Sequence, residues 1–125
     1  GSPQQTLREE GKFIGALEIG VGGQTLASGG DESALSIWRL YNATLALTIS
    51  GKKDDRLAAL AFSPDGQVLA SAWWDNSLRF YNPANGALLR SLPFTAAVRK
   101  IAFSADGRLL ALSLEDGTVR VWGMK

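Results

Sequence analysis

Among the side chains of this chain best suited to moving a proton are three adjacent pairs, Glu9-Glu10, Asp54-Asp55 and Glu115-Asp116. Paired carboxylates catalyse when they converge on one bond and are joined by a nucleophile, a base or an oxyanion donor. Sequence neighbours on a turn diverge, and no such companion stands beside any of the three pairs. The 125 residues contain no histidine and no cysteine, which closes the imidazole-based and thiolate hydrolase routes and the usual zinc sites. No spacing of acids matches a calcium loop. Gly20-Val21-Gly22-Gly23 has the glycines of a phosphate cradle, but it leads from one strand into another and not into a helix. The expectation is a protein that is not an enzyme and carries no metal and no cofactor. Contact chemistry remains. Trp73-Trp74 offers two indoles, and tryptophan is enriched among residues that anchor a partner. Neighbours on a strand point to opposite faces, so the two indoles cannot share one interface. Either one is exposed as an anchor, or both fill gaps left by smaller residues. Lys52-Lys53-Asp54-Asp55-Arg56 reads as a solvated loop, with a polar rim to such a contact as the alternative.

The elements that would position these residues repeat. Three segments align without gaps, beginning at Leu17, Leu60 and Ile101. Their matching glycines, Gly23, Gly66 and Gly107, lie 43 and 41 residues apart. The same offsets align Leu26, Leu69 and Leu110, and bring Trp38, Tyr81 and Trp122 into one register. Each repeat is a run of short apolar strands broken every few residues by turn formers. No long stretch has helical periodicity. A period of about 40–45 residues built of short strands is that of a four-stranded propeller blade. Residues 3–125 are therefore expected to form a single all-β unit of three antiparallel blades at 12–50, 55–92 and 96–123. The third blade would lack a last strand of its own. Residues 1–2 read as the remnant of an expression tag. In Ser63-Pro64-Asp65-Gly66 proline presets φ, and glycine accepts positive φ. Gly66 and Gly107 are expected there in the left-handed region.

"AFSPDG" at 61–66, "AFSADG" at 102–107 and the strand-end aromatics at this period resemble the WD-repeat family across nearly the whole chain after residues 1–2. The resemblance implies a propeller that binds other proteins and does no chemistry. The chain also departs from the family pattern. The family's Gly-His pair is missing, and Glu10, Lys53 and Phe94 stand in its place. The Trp-Asp dipeptide becomes Trp38-Arg39, Tyr81-Asn82 and Trp122-Gly123. The aspartate of the turn between the second and third strands persists as Asp75 and Asp116, and as Glu32 (or Asp31, shifted by one residue). In the family this aspartate joins histidine and tryptophan in a hydrogen-bonded network. Without the histidine, Asp75 and Asp116 are expected to bond turn amides instead. Trp38, Tyr81 and Trp122 are expected to be substantially buried at equivalent places.

Three blades cannot close a ring, and an open arc would leave apolar faces and bare strand edges in water. Gln4, Gln5, Thr6, Leu7 and Arg8 stand where a fourth strand would precede the first blade. They are expected to complete the third blade of another copy by strand exchange, with 3–9 as the exchanged segment. The ring would then close by oligomerisation. A homodimer of six blades is favoured, with a homotrimer of nine second. The remaining alternatives are a propeller fragment or engineered chain whose only activity is self-assembly, and, from another class, a propeller enzyme. The candidate partner-binding face holds Trp73, Trp74, Lys53, Arg56 and Phe94, presented to an unidentified protein or peptide. The formal charge is +1, from 13 basic and 12 acidic side chains, which gives no footprint for nucleic acid or for a membrane. Without a signal-peptide pattern the compartment leans towards the cytoplasm and away from secretion.

Overall fold

A computed structural model of the chain describes Leu7 and residues 14–30, 34–50 and 55–124. Those residues form eleven strands. The first sheet holds β1 (Ile14–Ile19), β2 (Thr25–Gly30), β3 (Ala34–Arg39) and β4 (Thr44–Ser50). The second holds β5 (Leu57–Phe62), β6 (Leu69–Trp73), β7 (Ser77–Tyr81) and β8 (Leu88–Pro93). The third holds β9 (Val98–Phe103), β10 (Leu109–Leu114) and β11 (Val119–Gly123). Each sheet is an antiparallel meander in chain order, with four, four and three strands. The third blade thus ends on β11, and Gln4, Gln5, Thr6 and Arg8 lie outside the described residues. Leu7 is half-buried.

The turns between the first and second strands show why the repeat holds. Ser63 N–H donates to the Val68 carbonyl and Gly66 N–H to the Ser63 carbonyl, at 2.8 and 2.9 Å. Ser104 with Leu109, and Gly107 with Ser104, make the same pair of bonds. So do Gly20 with Thr25, and Gly23 with Gly20, where Val21–Gly23 forms a short 3-10 turn. The glycines at 20–23 therefore do the job of the Ser-Pro-Asp-Gly turn. Gly66 and Gly107 both have φ of 74°, as expected from the turn chemistry. A β-branched side chain is strained in that region. Gly107→Val is expected to cost about 2 kcal/mol in unfolding free energy, since the left-handed conformation alone disfavours an L-residue by ~1–2 kcal/mol. Ala105→Val in the same turn, exposed and with ordinary φ, should change stability by less than about 0.5 kcal/mol. Equal losses in urea unfolding would remove the argument.

The core lies between sheets. Ala27, Leu35, Ile37 and Ile49 of blade 1 pack on Leu57, Leu60, Leu69, Trp73 and Tyr81 of blade 2. From its other face blade 2 packs Ala70, Ala72, Leu78 and Phe80 against Val98, Leu110, Leu112 and Leu114 of blade 3. Strand alternation produces this split. Leu69 and Trp73 face one way, and Ala70 and Ala72 the other. The first strands of the blades are neighbours, β1 beside β5 and β5 beside β9, as at the centre of a propeller. Trp38 and Tyr81 are buried as expected, and the Trp38 indole donates to Ser28 Oγ at 2.9 Å. Trp122 corrects the expectation. It is only half-buried, because β11 is the edge of its sheet among the described residues and none of their strands covers the ring. Its partner is Phe94, with ring centroids 5.6 Å apart.

Candidate partner-binding face

The two neighbouring indoles part company. Trp73 ends β6 with its ring fully enclosed against blade 1, and Trp74 begins the next turn at 61% exposure. The reading in which both fill gaps fails for Trp74, and Trp73 has no surface to offer a partner. Trp74 N–H donates to the Arg56 carbonyl at 2.9 Å, and Glu115 N–H makes the equivalent bond to Ala97 in blade 3. In blades 2 and 3 this bond ties the loop entering the blade to the turn after its second strand. It holds the Arg56 guanidinium 4.8 Å from the centre of the Trp74 ring, within reach of a cation–π contact. Arg56 and Trp74 border a cavity of about 370 Å³ together with Arg99 and Lys100.

Phe94 does not join them. Phe94 is half-buried in the packing between blades 2 and 3, with Arg120 over its ring at 5.8 Å. Lys53 lies outside the described residues. Sequence reasoning missed Arg99 and Lys100. Their signal was a departure from the repeat, since the offsets align them with Gly15-Ala16 and Ala58-Ala59.

Asp75 and Asp116 bond turn amides as expected. Each accepts from the backbone N–H two residues on, Ser77 or Thr118, at 3.0 Å, and from that residue's hydroxyl. The Thr118 hydroxyl, then the Thr118 amide, hold the Asp116 carboxyl below the ordinary carboxylate range. Asp75 is also part of something larger. Arg79, buried in β7, reaches Asp55 Oδ2 at 2.9 Å and Asp75 Oδ2 at 2.8 Å. Its guanidinium lies 4.6 Å from the centre of the Trp73 ring. Asp55 Oδ1 accepts from the amides of Arg56 and Asp75. The expected solvated loop therefore gives up Asp55, which is 5% exposed, because the Arg79 cation needs a carboxylate where it enters the blade. This network joins the loop entering blade 2 to the turn after its second strand, the turn that carries Trp74. Among the described residues no three carboxylates gather as a metal ion would require.

Meanders of four, four and three strands stacked face to face, with their first strands innermost, define a blade-built β protein of the propeller class. The family model described as the anaphase-promoting complex subunit 4 WD40 domain matches residues 24–97, more than half of the chain. The WD domain, G-beta repeat, matches residues 86–123. The chain belongs to the WD-repeat family. It is 34% identical over 103 residues to the target of rapamycin complex subunit wat1 of Schizosaccharomyces pombe, covering 80% of this chain and 32% of that protein. It is 31% identical over 108 residues to a periodic tryptophan protein 2 homolog of Dictyostelium discoideum, covering 85% of this chain and 12% of that protein. Against the small ribosomal subunit protein RACK1y of Oryza sativa it is 28% identical over 101 residues, 81% of this chain and 30% of that one. The chain spans a third or less of the length of each of these relatives.

Proposed function

We propose that this chain is a non-catalytic scaffold that binds protein or peptide segments on the face carrying Trp74, and that it closes its ring with a second copy of itself. The observation that carries this reading is the state of the two end blades. Leu109, Val119 and Val121 point away from blade 2 and are exposed, Val119 at 70%. At the same repeat positions in blade 2, Val68, Leu78 and Phe80 pack against blade 3. On the far side of blade 1, Leu17 and Ile19 are exposed, Leu17 at 61%. Their counterparts Leu60 and Phe62 pack against blade 1. One end thus presents the side of a blade that receives a following blade. The other presents the side that docks on a preceding one. Identical chains meeting head to tail close into a ring when the rotation allows, and two copies give six blades, within the usual range of about four to eight.

In that ring Gln4, Gln5, Thr6, Leu7 and Arg8 of each copy run beside Val119–Gly123 of the other and satisfy its edge. Two of the relatives are by name parts of larger assemblies, a target of rapamycin complex and a small ribosomal subunit, which accords with a chain that works by assembling. Light scattering should give twice the 13.3 kDa of one chain. The midpoint of thermal unfolding should rise with protein concentration, since folding and association are then linked. Deletion of residues 3–9 should weaken both. An unchanged oligomer with unchanged thermal stability overturns strand exchange. A monomeric intact chain overturns closure by a second copy and leaves the apolar faces to other blades. Turnover in a broad hydrolase panel overturns the non-catalytic reading.

A further inference from the structure

The innermost strands break the repeat at Glu18, which aligns with Ala61 and Ala102, and at one pair of positions that carries cations. Positions that pack blade on blade keep their type, as Leu26, Leu69 and Leu110 do. The equivalent pairs on the first strands do not: Gly15-Ala16, Ala58-Ala59 and Arg99-Lys100. Small residues in two blades leave room, and two long cations from the third border the space. The resulting cavity of about 370 Å³ is lined by Gly15, Arg56, Ala58, Trp74, Arg99 and Lys100 among others, with no acid among its lining residues. Trp74 is largely exposed and stacked with Arg56. Arg99 bonds Glu115 at 3.2 Å, and both side chains are more than half exposed. An ion pair of that kind is weak and exchanges readily for a better-placed carboxylate.

We propose that this cavity takes an acidic peptide segment, with its carboxylates on Arg99 and Lys100 and a neighbouring apolar side chain against the Trp74–Arg56 stack. The inference rests on the scaffold reading and names the class of partner for it. Packing does not explain the cations, because the blades stack without them at the other two repeats. A nucleic-acid strand suits the site less. Three clustered cations on a chain of net charge +1 give no track for a phosphate backbone.

The test uses the intact chain and fluorescein-labelled Gly-Glu-Glu-Leu-Glu-Gly, with counterparts in which Glu is replaced by Gln or by Lys, and labelled oligothymidylate. The acidic peptide should bind at least about tenfold more tightly than the Gln peptide, and more weakly as salt rises. It should quench a tryptophan signal that is missing in Trp74→Ala. The double variant Arg99→Glu/Lys100→Glu should lose at least about tenfold in affinity with an unchanged melting temperature. Glu115→Gln should bind more tightly, since the internal competitor is gone. Equal binding of the acidic and Gln peptides overturns the proposal, as does undiminished binding by the charge-reversed variant. Tighter binding of oligothymidylate overturns it in favour of a nucleic-acid site. If only the Gln or Lys peptide binds, the acidic-segment inference falls and the scaffold reading stands. If none of the three binds and a random peptide library yields no ligand, both fall.

Discussion

Trp73→Ala is expected to lower the unfolding free energy by about 3–5 kcal/mol, the range for truncating a fully buried large aromatic. The ring has no exposed surface and sits among Leu35, Leu57, Leu60 and Leu69 at the junction of blades 1 and 2. Its Nε1–H donates to Ser71 Oγ at 2.8 Å, and that hydroxyl in turn donates to the Arg79 carbonyl at 3.0 Å. Alanine would therefore open a cavity, strip Ser71 of its donor and uncover the guanidinium stacked on the indole. The surroundings have little freedom to collapse into the space. A Cβ at Gly29 would lie 2.7 Å from Leu57 Cδ2, so the Leu57 side chain is already packed onto the backbone of blade 1. Trp74→Ala, one residue on and largely exposed, should change stability by less than about 1 kcal/mol. Both variants should be unfolded in urea at one protein concentration, because assembly would otherwise shift the midpoints. Similar, small losses would mean that Trp73 does not hold the two blades together.

The contrast between these neighbours also shows which parts of the structure were legible in the chain. Repeat spacing and turn chemistry were enough for three blades of short antiparallel strands, because the turn signals recur at the repeat period. Gly66 and Gly107 followed from the same chemistry. Burial was less legible, since it depends on what lies beyond the sheet. Trp38 and Trp122 share a register, but Trp38 is buried and Trp122 is half-buried beside a bare edge. Charge was least legible. Asp55 looked solvated because its neighbours in sequence are charged, whereas its partner Arg79 is 24 residues away. Alternation did contain a clue. Leu78 and Phe80 face blade 3, so Arg79 between them must face blade 1, and a cation turned into an interface needs a carboxylate. Arg99 and Lys100 were visible in another way, as cations where the two equivalent strands carry only glycine and alanine.

Arg79→Leu is expected to cost about 3 kcal/mol or more, because breaking a buried ion pair strands the remaining charge. Asp55 would keep two amide donors on Oδ1, but the partner of Oδ2 would be gone. Asp75 is the more exposed of the two acids, which puts the loss towards the lower end of the range. The double variant Arg79→Leu/Asp55→Leu should recover part of it, since no stranded charge remains. A double-mutant cycle should give a coupling of about 1–3 kcal/mol. The pH dependence has a definite sign. Burial pushes the Asp75 carboxyl up, but the hydroxyl and amide of Ser77 and the Arg79 charge outweigh it and hold the group below the ordinary carboxylate range. A carboxyl depressed in the folded state adds stability above its unfolded pKa, near 4, and that stability is lost as pH falls through the folded value. The chain should therefore lose stability below about pH 4, and Arg79→Leu should lose less over the same interval because part of the depression is already gone. A coupling near zero, with the same acid limb in both proteins, would reduce the network to a surface ion pair. The rigidity of the turn that presents Trp74 would then have to come from its local bonds, Trp74 to Arg56, Asn76 to Trp73 and Ser77 to Asp75.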